Sequence, residues 1–397
     1  MKLANRALNI SPSPTLAIDT VAKEMMANGL EVVSFAAGEP DFDTPEHIKE
    51  AAIAAIRAGK TKYTPVTGTC YLREAICTKL KTDQGLDYKP EQIVVSAGAK
   101  HSLYNTLQVL VQPGDEVILP APYWVSYLEQ IKLAGAEARI VQAREENGFK
   151  LTPAELQSAI NTRTKLLILN SPNNPTGAVY TVDELQALAA VINKYDFMVI
   201  SDEIYEKFIY NGTKLVSIAS LSPELKERTV IINGVSKTYA MTGWRIGYAA
   251  AVQPVAKAMG ALQGHSTSNP NSIAQDAALA AINGDQAPVA LMVAEYRRRK
   301  NYMLERLNTI PGISCVKPGG SFYLFPNIKS YLGKSYKGRT INGASDLASI
   351  LLEEVQVAVV PGIAFGDDNH IRLSYVCSIE KIEEGLNRIA GLMKLIK

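Results

Sequence analysis

The residue types best suited to covalent chemistry lie in residues 236–248. Lys237 follows an apolar run, residues 229–232, that is typical of a strand, and ligands of α/β proteins bind in the crevice at the carboxyl ends of strands. Burial there disfavours the ammonium form, so the neutral amine that Schiff-base chemistry needs is favoured. Arg245 offers a planar fork of donors that suits a phosphate. Taken alone, the pair is equally compatible with a surface lysine and a helix-capping arginine.

A second cluster, residues 201–206, directly follows the apolar run 197–200. The carboxylate of Asp202 at a strand end can pair with a cationic ring nitrogen. The hydroxyl of Tyr205 can hydrogen-bond a phenolic oxygen on the same ring. Asp is also a good helix N-cap, and for Asp202 taken alone that structural role is the simpler interpretation.

Two further loops follow apolar runs. In residues 170–177, prolines and a glycine restrict the backbone, and Asn174 precedes a proline, which biases it towards an extended conformation with its amide free to point inward. In residues 96–100, Gly98 and Ala99 precede a helical pattern, and backbone N–H groups at a helix start can hold a phosphate. Many βα units carry such a turn, so this loop is weak support by itself.

The segments that must position these loops alternate between apolar runs and helical patterns. Short runs without polar alternation indicate strands covered on both faces, as in a parallel sheet. With helical segments such as 100–111 and 182–194 between them, they predict an α/β fold with helices on both faces. After about Gly284 a long helix, residues 288–307, begins a different pattern that predicts a smaller α+β domain. The apolar runs are residues 93–95, 116–119, 165–169, 197–200, 229–232 and 247–250.

Composition narrows the class of function. The 397 residues include 41 Lys and Arg against 39 Asp and Glu, a net charge of +2, which lacks the basic surplus of a nucleic-acid-binding protein. No apolar run approaches the ~18 residues of a membrane-spanning helix, and residues 1–20 lack the apolar stretch of a signal peptide. We therefore expect a cytoplasmic protein with no nucleic-acid or membrane partner. The histidines lie far apart and no Cys-x-x-Cys pair occurs, so we expect no metal site.

A lysine, phosphate donors, an acid, a tyrosine and an asparagine at successive strand ends would surround pyridoxal 5'-phosphate completely. On these motifs the chain resembles the class I aminotransferases, within the pyridoxal-phosphate enzymes of fold type I. The resemblance extends from residues 36–42 to residues 372–375, and residues 171–177 and 236–248 carry it most specifically. Lys-Tyr-Thr-Pro around Tyr63 and Pro-Tyr-Trp-Val-Ser-Tyr around residue 124 make it most similar to bacterial aspartate aminotransferases that use a lysine for the distal carboxylate.

The resemblance implies an architecture and an assembly. A large pyridoxal-phosphate-binding domain, residues 45–290, would contain a mostly parallel seven-stranded sheet sandwiched by helices. Residues 1–44 and 291–397 would form the smaller α+β domain. The protein would be a homodimer with shared active sites, in which Tyr63 reaches the phosphate of the neighbouring subunit.

The resemblance also assigns roles around the cofactor. Lys237 would form the Schiff base and move a proton between Cα and C4′, and Asp202 would keep the pyridine nitrogen protonated. Tyr205 and Asn174 would hydrogen-bond the ring oxygen and lower the Schiff-base pKa. The remaining cofactor-binding residues would be Trp124, which stacks on the ring, the phosphate ligands Arg245, Ser236, Gly98 and Ala99, and Lys100 at the adjacent helix start. One departure is Gly234, where many relatives carry a hydroxyl residue as a phosphate ligand.

The substrates implied are amino and 2-oxo acids, with L-aspartate as the amino donor and 2-oxoglutarate as the acceptor. Arg372 would bind the α-carboxylate in a bidentate pair, and Lys100, assisted by Ser13 and Thr15, would bind the distal carboxylate of an acidic substrate. The other substrate-binding residues would be Gly38, Trp124 and Asn174.

Three alternatives stay open at this point. Close relatives share the site with aromatic or prephenate aminotransferases, which is the strongest alternative. β-Elimination on the same cofactor is a second, although the full set of ligands with Arg372 argues against it. A pyridoxal-phosphate-binding transcription regulator is a third; it would need an N-terminal DNA-binding domain, for which residues 36–40 come too early.

Overall fold

The computed structural model describes residues 3–210, 212 and 214–397, so residues 1 and 2 of the predicted small domain lie outside the described part. The strands are β1 (Val33–Ser34), β2 (Ile93–Ser96), β3 (Glu116–Ala121), β4 (Glu137–Gln142), β5 (Thr164–Asn170), β6 (Met198–Asp202), β7 (Thr229–Gly234), β8 (Gly247–Ala250), β9 (Tyr323–Leu324), β10 (Ser335–Tyr336), β11 (Arg339–Thr340), β12 (Val357–Ala358), β13 (Val360–Pro361) and β14 (Ile371–Ser374). The α-helices are α1 (Asn5–Leu8), α2 (Pro14–Ala27), α3 (Glu46–Arg57), α4 (Cys70–Gln84), α5 (Ala99–Leu110), α6 (Val125–Leu133), α7 (Pro153–Ala159), α8 (Val182–Ile192), α9 (Pro223–Glu227), α10 (Gln253–Ser266), α11 (Ser272–Asn283), α12 (Ala287–Leu307), α13 (Ala344–Val355) and α14 (Ile379–Met393).

Seven of the strands form one sheet in the order β2-β8-β7-β6-β5-β3-β4. Strands β3, β4, β5, β6 and β7 pair in parallel, whereas β8 is antiparallel to both of its neighbours, β2 and β7. This confirms the predicted α/β fold with a mostly parallel seven-stranded sheet. Each of the six apolar runs is a strand of it.

Helices cover both faces of this sheet because its strands are apolar on both sides. In β5, Leu166 packs with Leu103 and Leu107 of α5 on one face. The next residue, Leu167, packs with Leu188 of α8 on the other face. Successive side chains of a strand point to opposite faces, so an unbroken apolar run fits a sheet buried on both sides.

The strand missing from the apolar runs is β4, and its position explains why. It lies at the edge of the sheet and is largely exposed to solvent. Its sequence, Glu-Ala-Arg-Ile-Val-Gln, therefore mixes polar and apolar residues instead of forming a continuous apolar run. Hydrophobicity alone also does not show whether a strand is parallel or antiparallel, which is why the antiparallel direction of β8 was not predicted.

The C-terminal segment builds smaller sheets that incorporate the N-terminal segment. Strand β1 pairs in parallel with β12, and β13, β14 and β9 form an antiparallel sheet. The backbone N–H of Ser374 also donates to the carbonyl of Phe35 at 2.8 Å. Both termini therefore contribute to one α+β layer. The boundaries at 44/45 and 290/291 stay a prediction, and α12 runs through the second of them.

Within the described residues, no single helix is long and apolar enough to cross a bilayer; α11 and α12 together meet the length and composition, with a bend of 78° between them. The same residues contain no group of three or more His, Cys, Asp or Glu side chains arranged to hold a metal ion.

Candidate active site

A cavity of about 540 Å³ lies at the edge of the large sheet where β2, β5, β6 and β7 end. Because β8 is antiparallel, it begins at this same edge, which brings Arg245 beside residues that follow the parallel strands. Gly38 and Arg372 enter from the smaller layer. The predicted site residues that line the cavity are Gly38, Ala99, Lys100, Trp124, Asn174, Asp202, Tyr205, Ser236, Lys237, Arg245 and Arg372.

The reactive amine of the cavity belongs to Lys237, whose Nζ donates a hydrogen bond to the carbonyl of Gly38 at 2.7 Å. Burial lowers the pKa of Lys237 to about 8; Glu39 opposes this shift, and the positive charges of Arg245 and Arg372 add to it. A larger fraction of these side chains therefore carries the neutral amine near neutral pH than in an ordinary lysine. The site therefore supplies a nucleophile and base near neutral pH.

Asp202 is a buried carboxylate at the end of β6. The hydroxyl of Tyr127 donates to its Oδ2 at 2.7 Å, and the backbone N–H of Ile204 donates to its Oδ1 at 3.2 Å. Burial nevertheless raises the pKa of Asp202 to about 6. Residues 203–207 form turns rather than an α-helix, so the helix N-cap interpretation does not apply. A cation placed beside this carboxylate would offset the cost of its burial.

Arg372, on β14, has a buried guanidinium whose N–H donors are not all hydrogen-bonded within the described part of the chain. Its Nη1 donates to Asn174 Oδ1 at 3.1 Å and its Nη2 to the carbonyl of Ala36 at 2.8 Å. Its Nε is buried without a hydrogen-bond partner among the described residues. Its guanidinium carbon lies 4.3 Å from the ring centroid of Tyr323. Burial lowers the pKa of Arg372, and an anion beside this guanidinium would offset the cost of burying its charge.

Arg245 is held where β8 begins, in a left-handed conformation with φ of 59°. Its Nη1 donates to the carbonyl of Thr242 at 2.8 Å and its Nη2 to that of Ala97 at 3.2 Å. A Cβ at Gly98 would lie 2.2 Å from Arg245 Nη2, and Gly98 has φ of 89°, so glycine is required there. Helix α5 begins at the next residue, which places its N-terminal N–H groups beside the guanidinium.

The departure at Gly234 also has a structural reason. A Cβ at this position would lie 2.8 Å from Gly247 Cα and 2.9 Å from the carbonyl oxygen of Ile246. A hydroxyl residue would need β8 to move away. Ser236, two residues later, is buried and lines the cavity.

Lys100 and Trp124 form one wall. The Nζ of Lys100 lies 4.9 Å from the ring centroid of Trp124, which immediately precedes α6. Burial, and secondarily Arg245, lower the pKa of Lys100. Ser13 and Thr15 line the same cavity. Lys100 therefore adds to the cavity a cation that is separate from Arg372 and lies at the wall formed with Trp124.

Two predicted residues are not among the lining residues. Gly98 lies directly behind Arg245. Tyr63 is 90% exposed on the surface of the single chain. Tyr127, Tyr323 and Glu39 also line the cavity, although no role was predicted for them. Of these, Tyr127 was recoverable in principle, because it follows Trp124 by three residues within the aromatic motif.

The cavity fits the cofactor that the resemblance implies. The guanidinium of Arg245 and the N-terminus of α5 suit a phosphate, and the glycine at 98 leaves them room to approach. The buried carboxylate of Asp202 suits a cationic ring nitrogen, and the amine of Lys237 suits an aldehyde. A planar ring held between these groups would lie next to Trp124.

Known proteins are similar to this chain over almost its whole length. Residues 31–389 match the family described as aminotransferase class I and II. The chain is 52% identical over 394 residues to the aspartate aminotransferase of Geobacillus stearothermophilus, covering 99% of both chains. It is 45% identical to the aspartate/prephenate aminotransferase of Nitrosomonas europaea, over 99% of this chain and 100% of that one. It also superimposes on the aspartate aminotransferase from Thermus thermophilus with maleate with a TM-score of 0.93 and 42% identity, covering 99% of this chain and 100% of that one.

A family match across almost the whole chain and identities above 40% leave one conclusion: the chain belongs to the class I and II aminotransferases and is a pyridoxal 5'-phosphate-dependent aminotransferase.

Proposed function

We propose that the protein transfers the amino group of L-aspartate to 2-oxoglutarate. The observation that carries this proposal is the presence of two separate cations, Arg372 and Lys100, in the cavity that also contains Lys237. Acidic amino acids carry two carboxylates, so two cations match both ends of such a substrate. Relatives at about half identity are aspartate aminotransferases, and the Thermus enzyme was solved with maleate, a dicarboxylate.

Pyridoxal 5'-phosphate, when bound, supplies an electron sink for the bonds at the substrate Cα. Lys237 would attach the cofactor through Nζ. Once the substrate amine has displaced it from that bond, the free Nζ would carry the proton from Cα to C4′. Burial, which lowers the pKa of Lys237, favours the neutral amine that can accept a proton. Asp202 would hold the proton on the ring nitrogen, and Tyr127 fixes the carboxylate by its hydrogen bond of 2.7 Å.

The other residues orient the cofactor and substrate. Tyr205 and Asn174 would donate to the ring oxygen, and Trp124 would cover the ring. Arg245, Ser236 and the N–H groups of Gly98 and Ala99 would hold the phosphate, to which Lys100 would add positive charge. Arg372 binds the α-carboxylate, for which Asn174 and Ala36 already fix the guanidinium plane.

Replacing Lys100 with alanine should change specificity more than activity. We expect kcat/KM to fall roughly 10²-fold for aspartate and glutamate, because a desolvated ion pair is lost. Alanine and tyrosine have no distal carboxylate, so their values should change by less than about fivefold. Steady-state kinetics with all four amino donors measure this. The exposed Lys257→Ala variant is the matched control. Equal losses for all four donors after Lys100→Ala would place the selectivity elsewhere.

A second candidate is activity on prephenate or aromatic substrates. It is favoured by the relative from Nitrosomonas europaea, which is an aspartate/prephenate aminotransferase. Prephenate is itself a dicarboxylate, so the same two cations suit it. Comparing kcat/KM for prephenate, phenylpyruvate and 2-oxoglutarate as acceptors decides between the two functions.

We also propose that the protein is a homodimer with shared active sites. Tyr63 is 90% exposed in the single chain, and Ile56 and Tyr71 on the flanking helices are 55% and 74% exposed. Apolar side chains exposed together in this way are typical of an interface. Tyr63 would then reach the phosphate in the partner's cavity.

Subunit exchange tests this arrangement. Lys237→Ala and Tyr63→Glu should each inactivate a homodimer, but a mixed dimer should contain one site with both defects and one intact site. If half of the dimers are mixed, activity should return to roughly a quarter of wild type. Mass spectrometry confirms the exchange. Proven exchange without recovered activity would show that Tyr63 serves its own chain or no site.

We further propose that the protein acts in the cytoplasm and that the chain divides into residues 45–290 and residues 1–44 with 291–397. The pairing of β1 with β12 supports the division, because it joins the N-terminal segment to the C-terminal layer.

A further inference from the structure

Two tyrosine hydroxyl groups meet inside the cavity. The hydroxyl of Tyr205, after β6, lies 3.1 Å from the hydroxyl of Tyr323 on β9. Both side chains line the cavity, and they are 4% and 1% exposed. Among the described residues, each hydroxyl has the other as its hydrogen-bond partner. The rings meet edge to face, with centroids 5.9 Å apart, so the contact between the hydroxyls is held by ring packing.

A pair of phenols carries two protons, and the hydrogen bond between them uses one. Burial raises the pKa of both groups, so both stay protonated at neutral pH. One proton is therefore left for a third acceptor. If Tyr323 donates to the oxygen of Tyr205, the hydroxyl proton of Tyr205 remains available to a third group. The hydrogen bond from Tyr323 then restricts the directions in which the Tyr205 O–H can point. Accepting a hydrogen bond also makes a hydroxyl a stronger donor.

The ring of Tyr323 has a second contact. The guanidinium carbon of Arg372 lies 4.3 Å from its centroid, a distance at which a cation is attracted to an aromatic face. The hydroxyl and the ring of one side chain thus contact two different groups of the site. A substitution that removes only the Tyr323 hydroxyl therefore removes the contact with Tyr205 and keeps the ring contact with Arg372.

We propose that Tyr323 is a positioning residue whose hydroxyl donates to Tyr205 and so directs the Tyr205 proton at the ring oxygen of the bound cofactor. This inference rests on the role proposed above for Tyr205. A donor stabilises the ring oxygen most when the neighbouring Lys237 nitrogen has lost its proton, so the donor lowers the pKa of that nitrogen. Weakening the donor should therefore raise this pKa.

The holoenzyme variant Tyr323→Phe tests the proposal by spectroscopy. The pKa read from the pH dependence of the bound cofactor's visible absorption should rise by about 0.5–1 unit, consistent with the loss of one hydrogen bond. The KM for aspartate should stay within about twofold, because the ring beneath Arg372 remains. The control is Tyr210→Phe, which removes a buried hydroxyl that donates to the carbonyl of Ser321 at 2.7 Å. This control should leave the pKa unchanged.

The same change in a Tyr205→Phe background distinguishes positioning from a general structural effect. If Tyr323 acts through Tyr205, the double variant should have the pKa of Tyr205→Phe alone. An equal upward shift in both backgrounds, or no shift from Tyr323→Phe in the wild-type background, overturns the inference. A Tyr205→Phe variant that itself leaves the pKa unchanged overturns both the inference and the proposed role of Tyr205. Cofactor content, measured for every variant, shows that each is folded and loaded.

Discussion

Asp202→Asn should lower kcat by on the order of 10³-fold or more, about 4 kcal/mol in activation free energy, while the protein still binds the cofactor. An asparagine fills the same space and can still be hydrogen-bonded by its neighbours. It cannot balance a positive charge on the ring nitrogen, so the electron sink is lost. The measurements are kcat with aspartate and 2-oxoglutarate and the cofactor content of the purified variant.

Two variants serve as controls for Asp202→Asn. Asp183→Asn makes the same chemical change at an exposed position in the first turn of α8 and should leave kcat within about twofold. Tyr127→Phe removes the hydroxyl that donates to Asp202 and should cost roughly tenfold, because one hydrogen bond is lost and the charge remains. An Asp202→Asn enzyme within tenfold of wild type would rule out the role assigned to this carboxylate.

Arg372→Lys should lower kcat/KM by about 10²–10³-fold for every amino acid tested. Lysine keeps the positive charge but lacks the planar fork that binds a carboxylate through two hydrogen bonds. It also leaves Asn174 Oδ1 and the carbonyl of Ala36 without their present donors. Because all amino acids carry an α-carboxylate, aspartate, glutamate, alanine and tyrosine should lose similar factors. A loss confined to the acidic donors would instead assign Arg372 to the distal carboxylate.

Local sequence was sufficient to predict the strands whose apolar pattern matches their burial in the structure. The runs at 165–169 and 229–232 became central strands because both of their faces are covered by helices. Strand β4 did not follow this pattern because an edge strand faces solvent. The antiparallel direction of β8 could not be predicted from the sequence either. This direction explains why Arg245 precedes its strand whereas Asp202 is the last residue of its strand, although both lie at the same edge of the sheet.

Sequence motifs identified the residues at the ends of strands, but they did not show which side chains from distant segments contact one another. Asp202 and Tyr205 are three residues apart, so their motif shows both. Tyr205 and Tyr323 are 118 residues apart, and Tyr127 and Asp202 are 75 apart. Contacts of this kind depend on how the smaller layer and α6 pack against the large sheet. No local pattern in a single sequence contains that information.

A single transfer measured without an acceptor tests the central claim most directly. Holoenzyme mixed with excess L-aspartate, and no 2-oxo acid, should release one oxaloacetate per chain and then stop, because the amino group stays on the enzyme-bound cofactor. Adding 2-oxoglutarate should then restart turnover, with glutamate and oxaloacetate released in equal amounts. Continuous release of a 2-oxo acid with ammonia before any acceptor is added, or no oxaloacetate from fully loaded enzyme, would contradict the account.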